Sequence, residues 1–97
     1  MAYNAKLIQT RPNNMVEFYH PSDEVIAKLE EFKTAGKIIS YTLNETDGDL
    51  NRSDTVVYNT ADDHASCIAD PVLAGSSTAR EDHCAINSIS TSLEIGN

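Results

Sequence analysis

The stretch LEEFKTAGKIISYTLNETDGDLNRSDTVVYN, residues 29–59, holds a helix end, two strands and the turn between them. Gly36 stands just past the last apolar helix position, where a residue free to take left-handed angles ends a helix. Lys33 and Lys37 flank it at the negative end of the dipole. Ile39, Tyr41 and Leu43 then alternate with Ile38, Ser40 and Thr42, which predicts a strand over 37–45. The β-branched and aromatic run SDTVVYN predicts another over 53–59. Asp47-Gly48 between them is a turn signal, so the two strands are read as an antiparallel hairpin fed directly by a helix.

Upstream, residues 22–35 carry the helix itself. Ser22 is placed to cap the first turn, and Asp23 and Glu24 complement the positive end of the dipole. Val25, Ile26, Leu29 and Phe32 fall on one stripe, with Glu24 and Lys28 as an i,i+4 pair on the outside. Residues 3–10, YNAKLIQT, alternate as a strand does, and Arg11-Pro12-Asn13-Asn14 stops it. MVEFYH, residues 15–20, is expected to be an irregular strand piece or a loop packed by Val16 and Phe18.

Downstream, TADDHASCIAD reads as a short helix capped by Asn59 or Thr60 and ended by Pro71, whose ring pushes Asp70 away from helical angles. VLAGSS, residues 72–77, reads as a linker. Thr78-Ala79-Arg80-Glu81 matches a capping box, so a further short helix is expected from 79 to 86. In SISTSLEI the residues Ile89, Thr91, Leu93 and Ile95 face one way and Ser90, Ser92 and Glu94 the other, which predicts a half-buried strand.

The order is therefore βαββαβ in a single α+β domain spanning residues 1–97. This is the ferredoxin-like arrangement: a four-stranded antiparallel sheet with helices on one face and the second helix broken at Pro71. Ile38 or Ile39, Val56 or Val57, and Ile89 with Leu93 cannot all lie under the helices, so a second copy is expected on the open sheet face, giving a homodimer or higher homo-oligomer.

The same stretch, with its "F..AGKI" helix end and acidic-Gly turn, resembles small ferredoxin-like proteins of the dimeric α+β-barrel kind. MAYNAKLIQTRPN leading into it looks like short proteins of tailed phages of marine bacteria. The resemblance covers residues 1–60 and consists of turn and cap chemistry without a catalytic signature. Some members of the wider group are small-molecule monooxygenases or haem-degrading enzymes working in a cavity between helices and sheet, and fold alone transfers neither role.

Composition narrows the partners. The net charge is −8 over 97 residues. Beyond residue 40 only Arg52 and Arg80 stand against ten carboxylates, and phosphate binding needs clustered Lys and Arg, so no nucleic-acid partner is expected. No eighteen-residue apolar run predicts a membrane span, and the N-terminal sequence does not read as a secretory signal. The expected location is the cytoplasm or a virus particle assembled there. The two cysteines are accordingly read as reduced thiols.

His64, Cys67, His83 and Cys84 form the one chemically suggestive set, because two imidazoles and two thiolates suit zinc. His64 and Cys67 share a helix face at i,i+3, but His83 and Cys84 are adjacent and cannot chelate from one. Buried thiols packing as small hydrophobes are the favoured reading, and no metal or other cofactor is expected. Asp63-His64 with Cys67 lacks the local signature of a Cys–His nucleophile. His20, between Tyr19 and Pro21, reads as a surface loop residue. Counting from Asp47, the sixth and twelfth positions of a calcium loop are Arg52 and Tyr58 instead of Gly and Glu, so DGD is a turn.

No catalytic, cofactor-binding or metal residue is assigned from sequence, and the balance leans away from an enzyme. The leading expectation is a self-associating structural or interaction domain, of a phage particle or a phage accessory protein, with other virion proteins as partners. The alternative is a small α+β-barrel enzyme or ligand-binding protein, monooxygenase-like, with its cavity near Tyr41, Tyr58 and His64.

Overall fold

The computed structural model describes residues 2–96 and shows why each segment takes its form. The elements run β1 (Tyr3–Thr10), α1 (Asp23–Thr34), β2 (Ile38–Asp47), β3 (Asn51–Tyr58), α2 (Ala61–Ile68), α3 (Pro71–Ile86) and β4 (Ser90–Gly96). The strands lie in the order β2-β3-β1-β4, and every neighbouring pair is antiparallel. β1 and β3 are thus central, and the chain order βαββαβ is kept with its second helix in two pieces.

Helix α1 begins and ends as its residues dictate. Ser22 accepts a hydrogen bond from the Val25 N–H, and Gly36, at φ 84°, closes the C-terminus. The Lys37 N–H donates to Phe32 O and the Gly36 N–H to Lys33 O, the paired bonds of a Schellman end. Val25 and Leu29 are buried against Ile38, Tyr58 and Cys67. Burying a side chain such as Leu29 contributes roughly 1.5–3 kcal/mol. The Glu24–Lys28 pair does not form. Lys28 Nζ instead lies 3.3 Å from Glu31 and 3.5 Å from Asp70, which ties α1 to the start of α3.

The second helix departs from the sequence reading. The break at Pro71 is present, but VLAGSS is not a linker: α3 is continuous over sixteen residues from Pro71. Asp70 has the extended angles that a proline imposes on its predecessor, and this makes it an N-cap, its Oδ1 accepting from the Val72 N–H at 2.9 Å. Pro71 then occupies the first helical position, where its missing N–H costs nothing. Thr78 is mid-helix and caps no terminus; its hydroxyl donates back to Ala74 O.

Strand parity sorts the sheet into two faces. Tyr3, Ala5, Leu7 and Gln9 of β1 stand opposite Tyr58, Val56, Asp54 and Arg52 of β3, and this face meets the helices. Residues 15–20 form a loop with Phe18 buried. Gln9 pins that loop through both ends of its amide, accepting from Tyr19 N and donating to Tyr19 O. Strand β4 is less covered than its alternation suggests. Ile89, just before it, is buried, but Leu93 is 57% exposed and Ile95 43%. Fewer apolar residues than expected lie on the helix-free face, because Ile38, Val56, Ile89 and Leu93 belong to the helix side. Ile8 and Val57 remain, with Ile39 half-exposed in a β-bulge of β2.

Candidate functional site

Under the helices, beside the core of Val25, Leu29, Ile38, Tyr58 and Cys67, the sheet and helix layers part to leave a cavity of about 440 Å³. Its floor is Ala5 and Leu7 of β1, Val56 of β3 and Leu43 of β2, and its roof is Val25 and Leu29 of α1 with Leu73 of α3. The exposed Leu93 and Ile95 line it from the side of β4, so the mouth lies at that sheet edge. A few polar groups reach in: Asp54, Tyr58, His64 and Arg80, with Ser76 and Ser77.

His64 is set by α2, whose N-cap Thr60 accepts from the Asp63 N–H. Its imidazole is held between two phenol rings, 5.1 Å from Tyr3 and 4.9 Å from Tyr58 between centroids. Burial pushes the His64 pKa down, so the ring is neutral at neutral pH and has a lone pair to offer a proton. Tyr58 is buried deeper, and burial, with a smaller push from Cys67, raises its pKa to about 12. Its hydroxyl therefore stays protonated and acts as a donor. An apolar chamber holding a neutral imidazole and a phenol donor can orient a ring-sized molecule and accept a proton from it.

Two of the three residues expected around a cavity, Tyr58 and His64, line it. Tyr41 does not: its hydroxyl is held by Glu30 of α1, and Lys33 lies over its ring. Asp54 and Arg80 were missed by the sequence reading. Asp54 had a legible signal, a carboxylate at the same strand parity as Val56 and Tyr58. Arg80 had none, because the helix expected over 79–86 begins earlier, at Pro71, and its cap reading put Arg80 in a first turn instead of mid-helix.

The four His and Cys residues go to separate places. Cys67 is fully buried in the core cluster. His83 bonds Glu17 O through Nε2, and the Cys84 thiol points at Gln9 Oε1 at 3.8 Å. Burial pushes both thiols up, so neither is a ready thiolate. Among the described residues no three His, Cys, Asp or Glu side chains converge as metal ligands would. Gly48, at φ 74°, makes the turn that DGD was read as. His20 is exposed on its loop, but its ring meets Arg52 Nη1.

No family model matches the chain, and no curated protein matches it in sequence. Solved structures do match in fold. SnoaB, a cofactor-independent oxygenase from Streptomyces nogalater, superposes with a TM-score of 0.58 at 16% identity, covering 99% of this chain and 91% of that one. A Bacteroides thetaiotaomicron protein described as a possible oxidoreductase reaches 0.60 at 9% identity, covering 97% and 94%. A dimeric ferredoxin-like protein from an uncultured marine organism reaches 0.52 at 11%, covering 97% and 94%. The chain is a small ferredoxin-like α+β protein. At these identities the likeness establishes the fold alone. No helix among the described residues is long and apolar enough to cross a membrane.

Proposed function

We propose that the chain is a small-molecule enzyme of the monooxygenase-like kind, whose substrate is a compact, largely apolar ring compound bound between the helices and the sheet. The observation that carries this is the cavity. Its volume of about 440 Å³ suits a ligand of a few fused rings, and its walls are apolar with a small convergent polar set. His64 takes the role of proton acceptor and Tyr58 that of hydrogen-bond donor. A fold shared with a described oxygenase supports the same reading. Together these favour the ligand-binding alternative over the structural, particle-associated role that the sequence put first.

The test is ligand-dependent thermal stabilisation by neutral aromatic compounds. A ligand at one hundred times its Kd should stabilise by about 2.7 kcal/mol. Ala5→Trp, which places an indole into the floor of the cavity, should remove the response while leaving the far-ultraviolet circular dichroism unchanged. An equal response from the filled variant would place binding elsewhere and end the proposal.

Self-association through the helix-free face belongs to the same proposal. Ile8, Val57 and the bulged Ile39 would form its apolar centre, with Ser53, Thr55 and Ser92 around them, and a homodimer is the form proposed.

A further inference from the structure

A second hollow, of about 430 Å³, adjoins the chamber between the start of α1 and the first half of α3. Ser22 and Glu24 line it from α1, and Pro71, Val72, Gly75 and Ala79 from α3. The two spaces have three walls in common: Tyr19, Val25 and Ser76. Val25 belongs to the buried core and is fixed there. The Tyr19 hydroxyl and Ser76 Oγ meet at 3.2 Å, joining the loop after β1 to α3. One phenol ring, held at its tip by one serine, therefore stands between the chamber and the hollow.

The backbone that carries this ring is held more firmly than the ring. Gln9 bonds Tyr19 N and Tyr19 O at 3.0 and 3.2 Å, which ties the loop to β1. His83 Nε2 lies 2.8 Å from Glu17 O, which ties the same loop to α3. Lys28 and Asp70 link the two helices that flank the hollow. The Tyr19 side chain is half-buried, meets the His83 ring edge-on at 5.9 Å between centroids, and has the neutral Ser76 hydroxyl at its tip. Such a contact adds little net stability, so the division depends on the bulk of the ring and on the rigid mount beneath it.

We propose that Tyr19 is a specificity-determining residue of the chamber: it closes the side toward α1 and α3 and limits the ligand to a compact ring system, refusing one that carries an alkyl arm. This rests on the chamber being the ligand site and adds to it which substituted rings are turned away. Beyond Tyr19 the space for an arm is already present, and its walls are uncharged apart from Glu24. An uncharged arm is thus the class that removal of the phenol would admit.

2-Naphthol and 6-propyl-2-naphthol, followed by their own fluorescence, separate the cases. The wild-type chain should bind 2-naphthol at least as tightly as the propyl compound. Tyr19→Ala should raise the affinity for the propyl compound relative to the parent by about tenfold or more, the effect of burying two to three methylene-sized groups. Adding Ala79→Trp to Tyr19→Ala fills the hollow and should cancel that gain. An unchanged ratio in Tyr19→Ala, or a gain that survives Ala79→Trp, ends the assignment and leaves the chamber as the ligand site. If neither the wild type nor the variant binds 2-naphthol, the chamber and the assignment fall together. Should Tyr19→Ala fail to fold, the unaltered chain decides. At saturation with 2-naphthol the Ala5 methyl resonance should move and the Ala79 methyl hold still, and movement of both would show that nothing divides the two spaces.

Discussion

At the scale of single residues, His64 links the site to stability. Its ordinary pKa is 6.5 and burial lowers it in the folded chain. Between those two values the unfolded chain binds more protons, so stability is full above about 6.5 and is lost as pH falls toward the folded value. Chemical denaturation of wild type and His64→Gln from about pH 7.5 down to about pH 5.5 isolates this group, because the other titrating residues are common to both. The wild type should lose more stability than the variant over that interval. Parallel curves would show that the imidazole is not buried as described. His64 and Tyr58 were legible as cavity residues because the helix cap and strand parity place them. The burial of Gln9 and Arg52 was not legible, although the signal existed: each is a polar residue at the core-facing parity of a central strand. Periodicity reports where apolar residues go, and it is silent on a polar residue that breaks the pattern.

At the scale of elements, two glycines should respond to alanine in opposite directions. Gly36 ends α1 at φ 84°, with nothing within 4 Å of a Cβ built there. The cost of Gly36→Ala is therefore backbone strain alone, about 1–2 kcal/mol of destabilisation. Gly75 lies inside α3 with helical angles and equally open space. Gly75→Ala should stabilise by about 0.5–1 kcal/mol, since glycine in a helix interior leaves the unfolded chain more freedom. Urea titration of the two variants reads both signs, and destabilisation by Gly75→Ala would contradict a continuous α3. That helix was the largest misreading of the sequence. Gly75-Ser76-Ser77 has the composition of a linker, but packing of Val72 and Leu73 on the core overrides weak propensity. By contrast, α1 and the hairpin were legible because cap, stripe, glycine and turn residues agree with one another. The boundaries of β2 and β3 run closer to the turn than the alternation indicated, to Asp47 and from Asn51, because the ladder continues through polar residues.

At the scale of the whole molecule, the core is small for the sheet it supports. Its buried apolar side chains are Phe18, Val25, Leu29, Ile38, Tyr58, Cys67, Cys84 and Ile89, and a cavity occupies volume beside them. A chain of this size buries only about 60–65% of its unfolded surface even when well filled. Covering the helix-free face would add burial for Ile8, Val57 and Ile39 without closing the cavity mouth at β4, so association and ligand binding can act together. Association makes stability depend on protein concentration. The melting temperature should therefore rise with the logarithm of concentration over a hundredfold increase (about 1 to about 100 μM) wherever the dimer is populated. Val57→Lys places a charge at the centre of that face, where an unpaired ammonium strongly opposes burial. In the variant the melting temperature should be lower and independent of concentration, while neutral aromatic ligands still stabilise it because the chamber lies on the opposite side of the sheet. A concentration-independent melting temperature in the wild type would remove the dimer. Loss of ligand response in Val57→Lys would instead mean that a second copy helps to shape the chamber.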